Sequence, residues 1–270
     1  MGKKKILGEV RDCLRTSMIG GEIFHYEEIG STNEEAAKLA NMGGREGAVV
    51  LADRQRFGRG RLGRRWHSPQ GGLWFSVILR PKIEMGDAPK LTLIASVAIA
   101  KAIQEFLELN VDIKWPNDIL IDGRKVCGIL TEASSKDGEL DYIILGVGIN
   151  VDFEEKEFPL ELRSKAVTLR NAYGKKIDIS QFLCYCLRKI ETYYIMFQDE
   201  GFDFILKEWK SLASIMGREI EIRRMKEKLS GTAIDVDKHG ALILQLRDGT
   251  CHRILSGEIL SIELPNVHFK

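Results

Sequence analysis

The chain has 270 residues, of which 44% are hydrophobic and 29% are charged, a composition typical of a globular protein of about two domains. Forty Lys and Arg residues balance thirty-nine Asp and Glu residues, and the net charge of +1 argues against steering of the whole protein toward nucleic acid or an anionic membrane. The longest uncharged apolar stretch, residues 91–100, is half of the about 20 residues that a helix needs to cross a bilayer, so no transmembrane span is predicted.

The N-terminus and the cysteines favour a reducing, cytoplasmic location. The basic start of the chain lacks the apolar run of a secretory signal, and Ile6 stands where a myristoylation signal has Ser or Thr. The cysteines are odd in number and scattered, and none has the spacing of a zinc site, so no disulfide framework or zinc site is predicted. They are Cys13, Cys127, Cys184, Cys186 and Cys251.

The hydrophobic pattern of residues 1–214 predicts alternating helices and strands. Helices are predicted at residues 6–18, 32–42, 88–109, 179–197 and 202–212. Strands are predicted at residues 24–29, 48–52, 73–79, 111–115, 119–121, 126–133 and 142–151, and residues 152–176 are predicted to be loop. These elements predict an α+β domain, in which a mixed, largely antiparallel sheet has its helices on one side.

Local chemistry supports two of these boundaries. The helix at residues 32–42 has two candidate capping boxes at its start, in which Ser31 pairs with Glu34 or Thr32 pairs with Glu35. Two dipeptides typical of tight hairpins separate predicted strands, Asp122-Gly123 and Asp137-Gly138.

The pattern changes near the C-terminus. From Gly217 onward, four or five short alternating strands are separated by turns at residues 238–240 and 248–249, which predicts a small β-barrel of about fifty residues. We therefore predict a domain boundary near Ser214, with one domain at residues 1–214 and a second at residues 215–270.

Residues 54–83 contain no acidic residue, so their positive charge is concentrated locally. The basic residues of this segment are Arg54, Arg56, Arg59, Arg61, Arg64, Arg65, Arg80 and Lys82. In its GRGRLGRRW portion, glycines alternate with arginines; glycine lets backbone N–H groups approach a ligand closely, and arginine presents a planar fork to carboxylate or phosphate. We predict a loop that wraps an anion and that is mobile without it, because its like charges repel.

Two other interpretations of this loop remain open. It could be a solvated basic loop, or an Arg/Gly segment that binds single-stranded nucleic acid through charge and stacking. The neutral remainder of the chain, which has no basic stripe, weighs against nucleic acid.

Three shorter motifs carry candidate site residues. In KWPND, Pro116 restricts Trp115 to an extended conformation, so Lys114 and Asp118 are predicted to project at one end of the sheet. In GRKVCGIL, Lys125 opens a strand and Gly128 marks a close backbone approach. GVGIN, residues 146–150, places two glycines in an apolar strand. Each alone is also compatible with an ordinary turn, a solvent-facing lysine or a plain strand.

Taken together and in this order, the motifs resemble those of the biotin protein ligases. The matching pieces are STN (31–33), DRQRFGRGRLGRRW (53–66), KWPND (114–118), GRKVCGILTE (123–132), GVGINV (146–151) and SGEI (256–259). The similarity covers about residues 24–170 and is less specific beyond. It implies a class II synthetase-like catalytic domain followed by an SH3-like C-terminal barrel.

The resemblance also implies a reaction and its partners. Biotin and MgATP would give biotinyl-5′-AMP and pyrophosphate, and the biotinyl group would then pass to a lysine of a biotin carboxyl carrier protein. Fixed cations have to offset the repulsion between the carboxylate and the triphosphate. Within enzymes, a lipoate-type protein ligase of the same fold is the alternative.

By position in these motifs, the resemblance assigns roles to individual residues. Lys125 and Arg61 are the candidate catalytic residues, and Asp118 is the candidate metal ligand. The candidate biotin-binding residues are Ser31, Thr32, Asn33, Gln55, Arg59, Gly60, Arg61, Lys125 and Gly128. The candidate ATP-binding residues are Arg61, Arg64, Trp66, Lys114, Asn117, Asp118 and Asn150.

Two departures qualify the resemblance. Only thirty residues precede Ser31, too few for the DNA-binding module of some members, so we expect the monofunctional type without specific DNA binding, and a homodimer is left open. Residues 152–165 are acidic where the family has its adenine-covering segment, so the sequence nominates no residue for adenine. The five histidines show no constellation and are interpreted as ordinary surface or core residues.

Overall fold

A computed structural model describes residues 3–224 and 227–262. For residues 3–6 it describes the backbone alone. Within these residues the chain forms six α-helices: α1 Lys3–Cys13, α2 Thr32–Asn41, α3 Lys90–Leu107, α4 Leu169–Tyr173, α5 Ile179–Glu200 and α6 Asp203–Leu212. A first sheet contains β1 Ile23–Ile29, β2 Val49–Gln55, β3 Leu73–Leu79, β4 Asp112–Lys114, β5 Asp118–Ile121, β6 Arg124–Lys136 and β7 Glu139–Ile149. A second sheet contains β8 Glu219–Arg224, β9 Glu227–Val236, β10 Leu242–Gln245, β11 Cys251–Ile254 and β12 Glu258–Ile262.

The first sheet is mixed and largely antiparallel, as predicted. Its strand order is β1-β2-β3-β7-β6-β5-β4, and β1 runs parallel to β2 whereas the other neighbours are antiparallel. The hairpins β5–β6 and β6–β7 turn at the two predicted dipeptides, where Asp122 (φ 49°), Gly123 (φ 73°), Asp137 (φ 53°) and Gly138 (φ 86°) all have positive φ. Positive φ at both central residues defines the type I′ turn that suits the twist of a hairpin.

The prediction that the helices lie on one side of this sheet is wrong for α2. Helices α3 and α5 pack in the main core, together with Val77 and Leu79 of β3. On the opposite face, Ala36 of α2 packs against Ile78 of β3 and Ile144 of β7 in a second cluster. All seven residues of β3 are buried, and a strand buried on both faces needs cover on both.

The predicted capping boxes at the start of α2 are also wrong. Ser31 is the N-cap residue, but its side chain makes no capping hydrogen bond. The two glutamates have other partners: Glu34 lies 3.7 Å from an Arg59 nitrogen, and Glu35 accepts a hydrogen bond of 3.2 Å from the Tyr26 hydroxyl. Glu35 also pairs with Lys38 on the same helix at 3.2 Å, so neither glutamate returns to the cap.

Residues 152–176 are more ordered than the predicted loop. Helix α4 lies within them and is capped by Thr168, whose hydroxyl accepts from the Asn171 N–H. Phe153 and Phe158 pack with Trp74 of β3 in a small aromatic cluster. Tertiary packing fixes this segment where sequence periodicity does not.

The second sheet contains the five short strands predicted after Gly217, in the order β11-β10-β9-β8-β12, with all neighbours antiparallel. Within the part of the chain that the structure describes, no ladder joins β11 to β12, so a closed barrel is not seen. Of the two predicted domains, residues 1–2, 225–226 and 263–270 lie outside the described residues. The turn between β9 and β10 meets the first domain at Trp115, between β4 and β5, whose indole N–H donates to the Gly240 carbonyl at 3.1 Å.

The expectation that no cysteine is paired is wrong for one pair. Cys13 at the end of α1 and Cys184 in α5 form a disulfide, although 171 positions separate them. Cys127 and Cys186 are free and buried, and Cys251 is free and exposed. Disulfides are uncommon in reducing compartments, so the cytoplasmic location stays a prediction.

No helix in residues 3–224 and 227–262 combines the length and the apolar character that a membrane crossing requires.

Candidate active site

One cavity of about 330 Å³ lies on the face of the first sheet that carries α2. It is walled by α2, the arginine segment, β6, β7 and the start of β12. Every site residue nominated by the sequence lines it: Ser31, Thr32, Asn33, Gln55, Arg59, Gly60, Arg61, Arg64, Trp66, Lys114, Asn117, Asp118, Lys125, Gly128 and Asn150. Motifs more than 100 residues apart in the sequence therefore meet in one place.

A polar network forms one end of the cavity, beside the N-terminus of α2. The Gln55 carbonyl oxygen accepts from the Thr32 backbone N–H (2.8 Å) and the Thr32 hydroxyl (3.1 Å), and the Gln55 amide donates to the Ser68 hydroxyl (2.9 Å). The Ser31 hydroxyl has no hydrogen-bond partner among the described residues, although Ser31 is only 3% exposed. Ser31 is thus the unengaged hydroxyl at this end.

Ser76, which the sequence analysis did not nominate, anchors the same network from below. It is fully buried in β3, and its hydroxyl lies 2.8 Å from the Thr32 hydroxyl and 2.7 Å from the Asn33 amide oxygen. The sequence did hold a signal for Ser76: it is the one hydroxyl residue in the otherwise apolar strand β3. Because a buried hydroxyl needs a hydrogen-bond partner, such a residue points to a polar group nearby.

The glycines of β6 and β7 do allow a close approach, but what approaches them is protein. A Cβ on Gly146 would lie 2.0 Å from the Asn33 amide oxygen, and a Cβ on Gly148 would lie 2.5 Å from the Trp66 indole nitrogen. A Cβ on Gly128 would also meet the Trp66 ring, at 2.9 Å. Glycine at these positions therefore seats Asn33 and Trp66 against the floor of the cavity.

The arginine segment folds over the cavity as a short hairpin. Arg59 and Arg65 form an isolated β-bridge, and the Gly60 N–H donates to the Arg64 carbonyl at 2.8 Å, so it is already engaged by the chain. Leu62 stands at the tip with φ 57° and is 71% exposed.

Acidic residues from other parts of the chain neutralise much of this segment. Arg54 and Arg56 pair with Glu28, and Arg80 pairs with Asp141. The repulsion that the sequence predicts is therefore partly offset, and mobility of the ligand-free loop stays a prediction.

Arg61 reaches from the hairpin into the centre of the cavity. Its guanidinium donates to the Asn117 amide oxygen at 3.2 Å and to the Gly257 carbonyl at 3.3 Å. Burial lowers its pKa, and the nearby carboxylates of Asp118 and Glu258 oppose that shift. Burial removes water from around the Arg61 guanidinium, so an anion that binds beside it stabilises its charged form.

Lys125 and Lys114 add two further cations at the centre. The Lys125 ammonium lies 2.6 Å from an Asp118 carboxylate oxygen, as an ion pair rather than a well-aligned hydrogen bond, and 4.9 Å from the centroid of the Trp66 ring. Burial lowers the pKa of Lys114, against the attraction of Asp118. The centre therefore holds three cations, and the Asp118 carboxylate pairs directly with one of them, Lys125.

Aromatic and apolar side chains form the other end of the cavity. The ring centroids of His67 and Phe158 are 6.4 Å apart, and Leu162 and Ala166 also line this end. The Trp66 indole nitrogen and the His67 Nε2 nitrogen are buried without a hydrogen-bond partner among the described residues. His67, interpreted from the sequence as an ordinary residue, thus lies in the cavity wall together with Phe158, Leu162 and Ala166.

The second sheet contributes to the same cavity through Gly257 and Glu258. The Glu258 carboxylate binds the Arg64 guanidinium through both oxygens, one at 2.6 Å, and this hydrogen bonding lowers the pKa of Glu258 and raises that of Arg64. The sequence marked SGEI as family-like but assigned it no role.

Asn150, nominated for ATP, donates from its amide to the Lys125 and Val167 carbonyls, so it holds the wall of the cavity.

Comparison with known proteins adds an independent observation. The model of the biotin/lipoate A/B protein ligase family matches residues 29–150, and the model of the biotin protein ligase C-terminal domain matches residues 215–260. The chain is 39% identical to the bifunctional ligase/repressor BirA of Bacillus subtilis over 252 residues, which are 93% of this chain and 77% of that protein. It is 32% identical to a biotin–acetyl-CoA-carboxylase ligase of Paracoccus denitrificans, over 80% of this chain and 90% of that one.

A solved structure agrees with these matches. The biotin protein ligase from Aquifex aeolicus in complex with biotin and ATP superimposes with a TM-score of 0.77 at 31% identity, covering 90% of this chain and 99% of that one.

Proposed function

This chain belongs to the biotin/lipoate A/B protein ligase family, and from that premise we propose how its residues join biotin to a carrier protein. Biotin activation and transfer, predicted from the motifs, is the function that the relatives and the structural neighbours support. In the first step an oxygen of the biotin carboxylate attacks the α-phosphorus of ATP, the bond to the bridging oxygen breaks, and pyrophosphate leaves. In the second, an unprotonated lysine amine attacks the carbonyl carbon, the amine loses a proton, and AMP leaves.

The observation that carries this assignment is the order of chemistries along the cavity. A polar end around Thr32 and Asn33 is followed by the cations Lys125 and Arg61, and then by the aromatic end around His67. Biotinyl-AMP has the same order: a polar ring system, an acyl phosphate and a purine. The proposal is that the intermediate lies along this axis.

We propose that Ser31, Thr32, Asn33 and Gln55 bind the ring system of biotin. The Ser31 hydroxyl is unengaged, and the remaining side chains are held in one arrangement by their mutual hydrogen bonds. A polar site whose donors are already fixed loses little entropy on binding. Gly128 keeps the floor low enough for the ligand and for the Trp66 ring.

At the centre, Lys125 and Arg61 act on the reacting groups. Two anions have to come together here, and preorganised cations in a partly dry site offset that repulsion more strongly than water does. Lys125 bridges the carboxylate and the α-phosphate, and Arg61, Arg59 and Gly60 cover them from the hairpin. Lys114, Asn117 and Arg64 face the remaining phosphates.

We propose that adenine occupies the aromatic end, against Trp66, His67 and Phe158. The support is the apolar lining together with two buried ring nitrogens that have no partner within the described chain. Buried polar atoms in native proteins are nearly always satisfied, so a ligand with donors and acceptors fits this end. Asn150 supports the wall behind it.

Mg²⁺ enters this scheme with ATP. It is held in proteins through one or two carboxylates together with phosphate oxygens. In residues 3–224 and 227–262, no group of three His, Cys, Asp or Glu side chains is arranged to hold a metal ion. Asp118 is the proposed protein ligand, and its contact with Lys125 places it beside the cations that would face those phosphates.

The acceptor and the architecture complete the proposal. The names of two relatives, biotin–acetyl-CoA-carboxylase ligases, support a biotin carboxyl carrier protein as acceptor. We propose the division into residues 1–214 and 215–270, a class II synthetase-like first domain, and an SH3-like second one, in line with the five short antiparallel strands. The homodimer and the lack of specific DNA binding stay predictions.

The test is exchange of labelled pyrophosphate into ATP. We expect exchange that depends on biotin and a biotinyl-AMP that mass spectrometry detects after incubation with biotin and MgATP. Exchange with lipoate but none with biotin would assign the chain to lipoate ligation instead. Steep salt-dependent binding to single strands, without any exchange, would assign the arginine segment to nucleic acid.

A further inference from the structure

Glu132 of β6 joins two groups that belong to different parts of the proposed reaction. One carboxylate oxygen accepts from the Asn33 amide at 2.7 Å, and the other lies 3.0 Å from an Arg59 guanidinium nitrogen. Asn33 belongs to the polar end, whereas Arg59 opens the hairpin that covers the centre. The sequence analysis assigned Glu132 no role.

On one side, Glu132 decides which way the Asn33 amide faces. The Asn33 oxygen is taken by the Ser76 hydroxyl at 2.7 Å, and its nitrogen has Glu132 as its nearest acceptor, ahead of the Leu130 carbonyl at 3.4 Å. Asn33 is only 6% exposed, so a flipped amide would place its buried oxygen against the Glu132 carboxylate, where neither group has a proton to donate.

On the other side, Glu132 holds the start of the hairpin. The Arg59 side chain is half-exposed, and its second acidic neighbour, Glu34, is farther away at 3.7 Å. Ion pairs as exposed as this one stabilise a fold only weakly. The contact therefore serves the position of Arg59 more than the stability of the protein.

We propose that Glu132 is a positioning residue that keeps the polar end and the arginine hairpin in register during biotin activation. The inference rests on the proposed function, because it uses the assignment of Asn33 to the ring system and of Arg59 to the carboxylate. Glu132 touches neither substrate. It acts through the two side chains that do.

Substitution by Gln and by Ala separates the two contacts. In Glu132→Gln the amide oxygen still accepts from Asn33, but an NH₂ group replaces the oxygen beside Arg59, so only the hairpin contact is lost. In Glu132→Ala both contacts are lost. Glu34→Gln is the matched control, because it removes the other acidic neighbour of Arg59 and leaves Asn33 untouched.

Three measurements on the full chain follow: the Kd of biotin by calorimetry, trypsin cleavage after Arg59 without ligand, and single-turnover formation of biotinyl-AMP. For Glu132→Gln we expect a biotin Kd within about twofold of wild type. We expect trypsin cleavage about two- to fivefold faster and adenylate formation about two- to fivefold slower, the size of effect that loss of a half-exposed ion pair produces. For Glu132→Ala we expect the biotin Kd to rise by about tenfold as well, because the Asn33 donor loses its partner. Glu34→Gln should stay near wild type.

Several results would overturn the proposal. It fails if Glu132→Gln matches Glu34→Gln in cleavage and in adenylate formation, or if both Glu132 variants weaken biotin binding equally and leave cleavage unchanged. Should the alanine variant not fold, the isosteric glutamine variant carries the test alone. If the wild-type chain does not bind biotin, the proposed function fails, whereas cleavage of the ligand-free variants still reports whether Glu132 holds Arg59.

Discussion

The Lys125 ammonium lies 2.6 Å from the Asp118 carboxylate and 4.9 Å from the centroid of the Trp66 ring. The bulge between Ile119 and Leu120, where β5 pairs with β6, brings Lys125 round to the face of Asp118. Asp118 and the indole thus hold the ammonium over the centre of the cavity before any substrate is present. Such a fixed charge need not reorganise when the anions arrive, which is the condition for electrostatic catalysis.

Lys125→Ala should therefore slow the formation of biotinyl-AMP far more than it weakens biotin binding. Loss of one preorganised donor at a reacting centre lowers kcat by about 100- to 1,000-fold. Rapid-quench measurement of the adenylate and calorimetry with biotin alone provide the two numbers. Equal losses in rate and affinity would reduce Lys125 to a binding residue.

The Arg64–Glu258 pair makes a second prediction, since it is a side-chain contact through which the second sheet reaches the hairpin. Glu258→Gln leaves one acceptor for Arg64 and removes the charge, so we expect a higher KM for ATP by about three- to tenfold with the KM for biotin unchanged. Glu221→Gln on β8, whose carboxylate pairs with Lys228, is the control. An unchanged KM for ATP would mean that the second sheet does not act through Arg64.

The sequence predicted the local features of this fold well and its long-range ones poorly. The β5–β6 and β6–β7 hairpins were predictable because an Asp-Gly dipeptide encodes the turn by itself. The position of α2 on the opposite face and the Cys13–Cys184 bond were not, because neither leaves a mark at short spacing. The same division holds in the capping of α2, where Glu34 pairs with Arg59 and Glu35 bonds Tyr26 and Lys38 instead of the predicted cap residues.

The candidate site follows the same rule. The residues nominated from the sequence belong to short motifs rich in arginine, lysine, glycine and polar side chains, which are typical of anion binding. All of them line the cavity. Glu132 and Glu258 were missed because each acts through side chains that the fold brings near: Asn33 and Arg59 for Glu132, and Arg64 for Glu258. His67 and Phe158 were missed because an aromatic wall has no periodicity.

Gly148 allows a third prediction, on the seat of Trp66. Ala at this position would put a Cβ 2.5 Å from the indole nitrogen, so the ring has to move away from the floor and from Lys125. We expect Gly148→Ala to lower the free energy of unfolding by about 1–3 kcal/mol, as overpacking does, and to slow adenylate formation. Gly86→Ala, where a Cβ meets nothing within 4 Å, should change neither. If Gly148→Ala had the wild-type free energy of unfolding and the wild-type rate of adenylate formation, this packing of Trp66 would be contradicted.

Counting thiols provides a fourth prediction. The exposed Cys251 should react with a thiol reagent in the native protein, and the buried Cys127 and Cys186 only after unfolding. The Cys13–Cys184 pair should add two further thiols only after reduction. We therefore expect one, then three, then five reactive thiols across these conditions. Five thiols on unfolding without a reductant would show that the disulfide is absent.

Glu191 of α5 provides the fifth prediction, on pH. Its carboxylate accepts from three successive backbone N–H groups, those of Ser17 (2.6 Å), Met18 (2.7 Å) and Ile19 (2.6 Å), and it is only 7% exposed. Burial acts to raise its pKa, but these hydrogen bonds together outweigh burial, and the pKa lies below its ordinary value. The charged form therefore ties the segment before β1 to α5.

A carboxyl whose pKa is lower in the folded state stabilises the fold above its unfolded pKa of about 4.3, and loses that contribution as the pH falls through the folded value. Glu191→Gln should thus lower the free energy of unfolding by about 3 kcal/mol at pH 7, since an amide supplies one acceptor where the N–H groups used two charged oxygens. Denaturant unfolding from pH 7 to pH 3 should show this difference shrinking below pH of about 4, where the wild-type carboxylate takes up its proton. Glu200→Gln, an exposed position on the same helix, should match wild type throughout. If the difference in free energy of unfolding between Glu191→Gln and wild type stayed constant down to pH 3, the charge of Glu191 would contribute nothing to stability. Packing of the side chain alone would then hold the segment before β1.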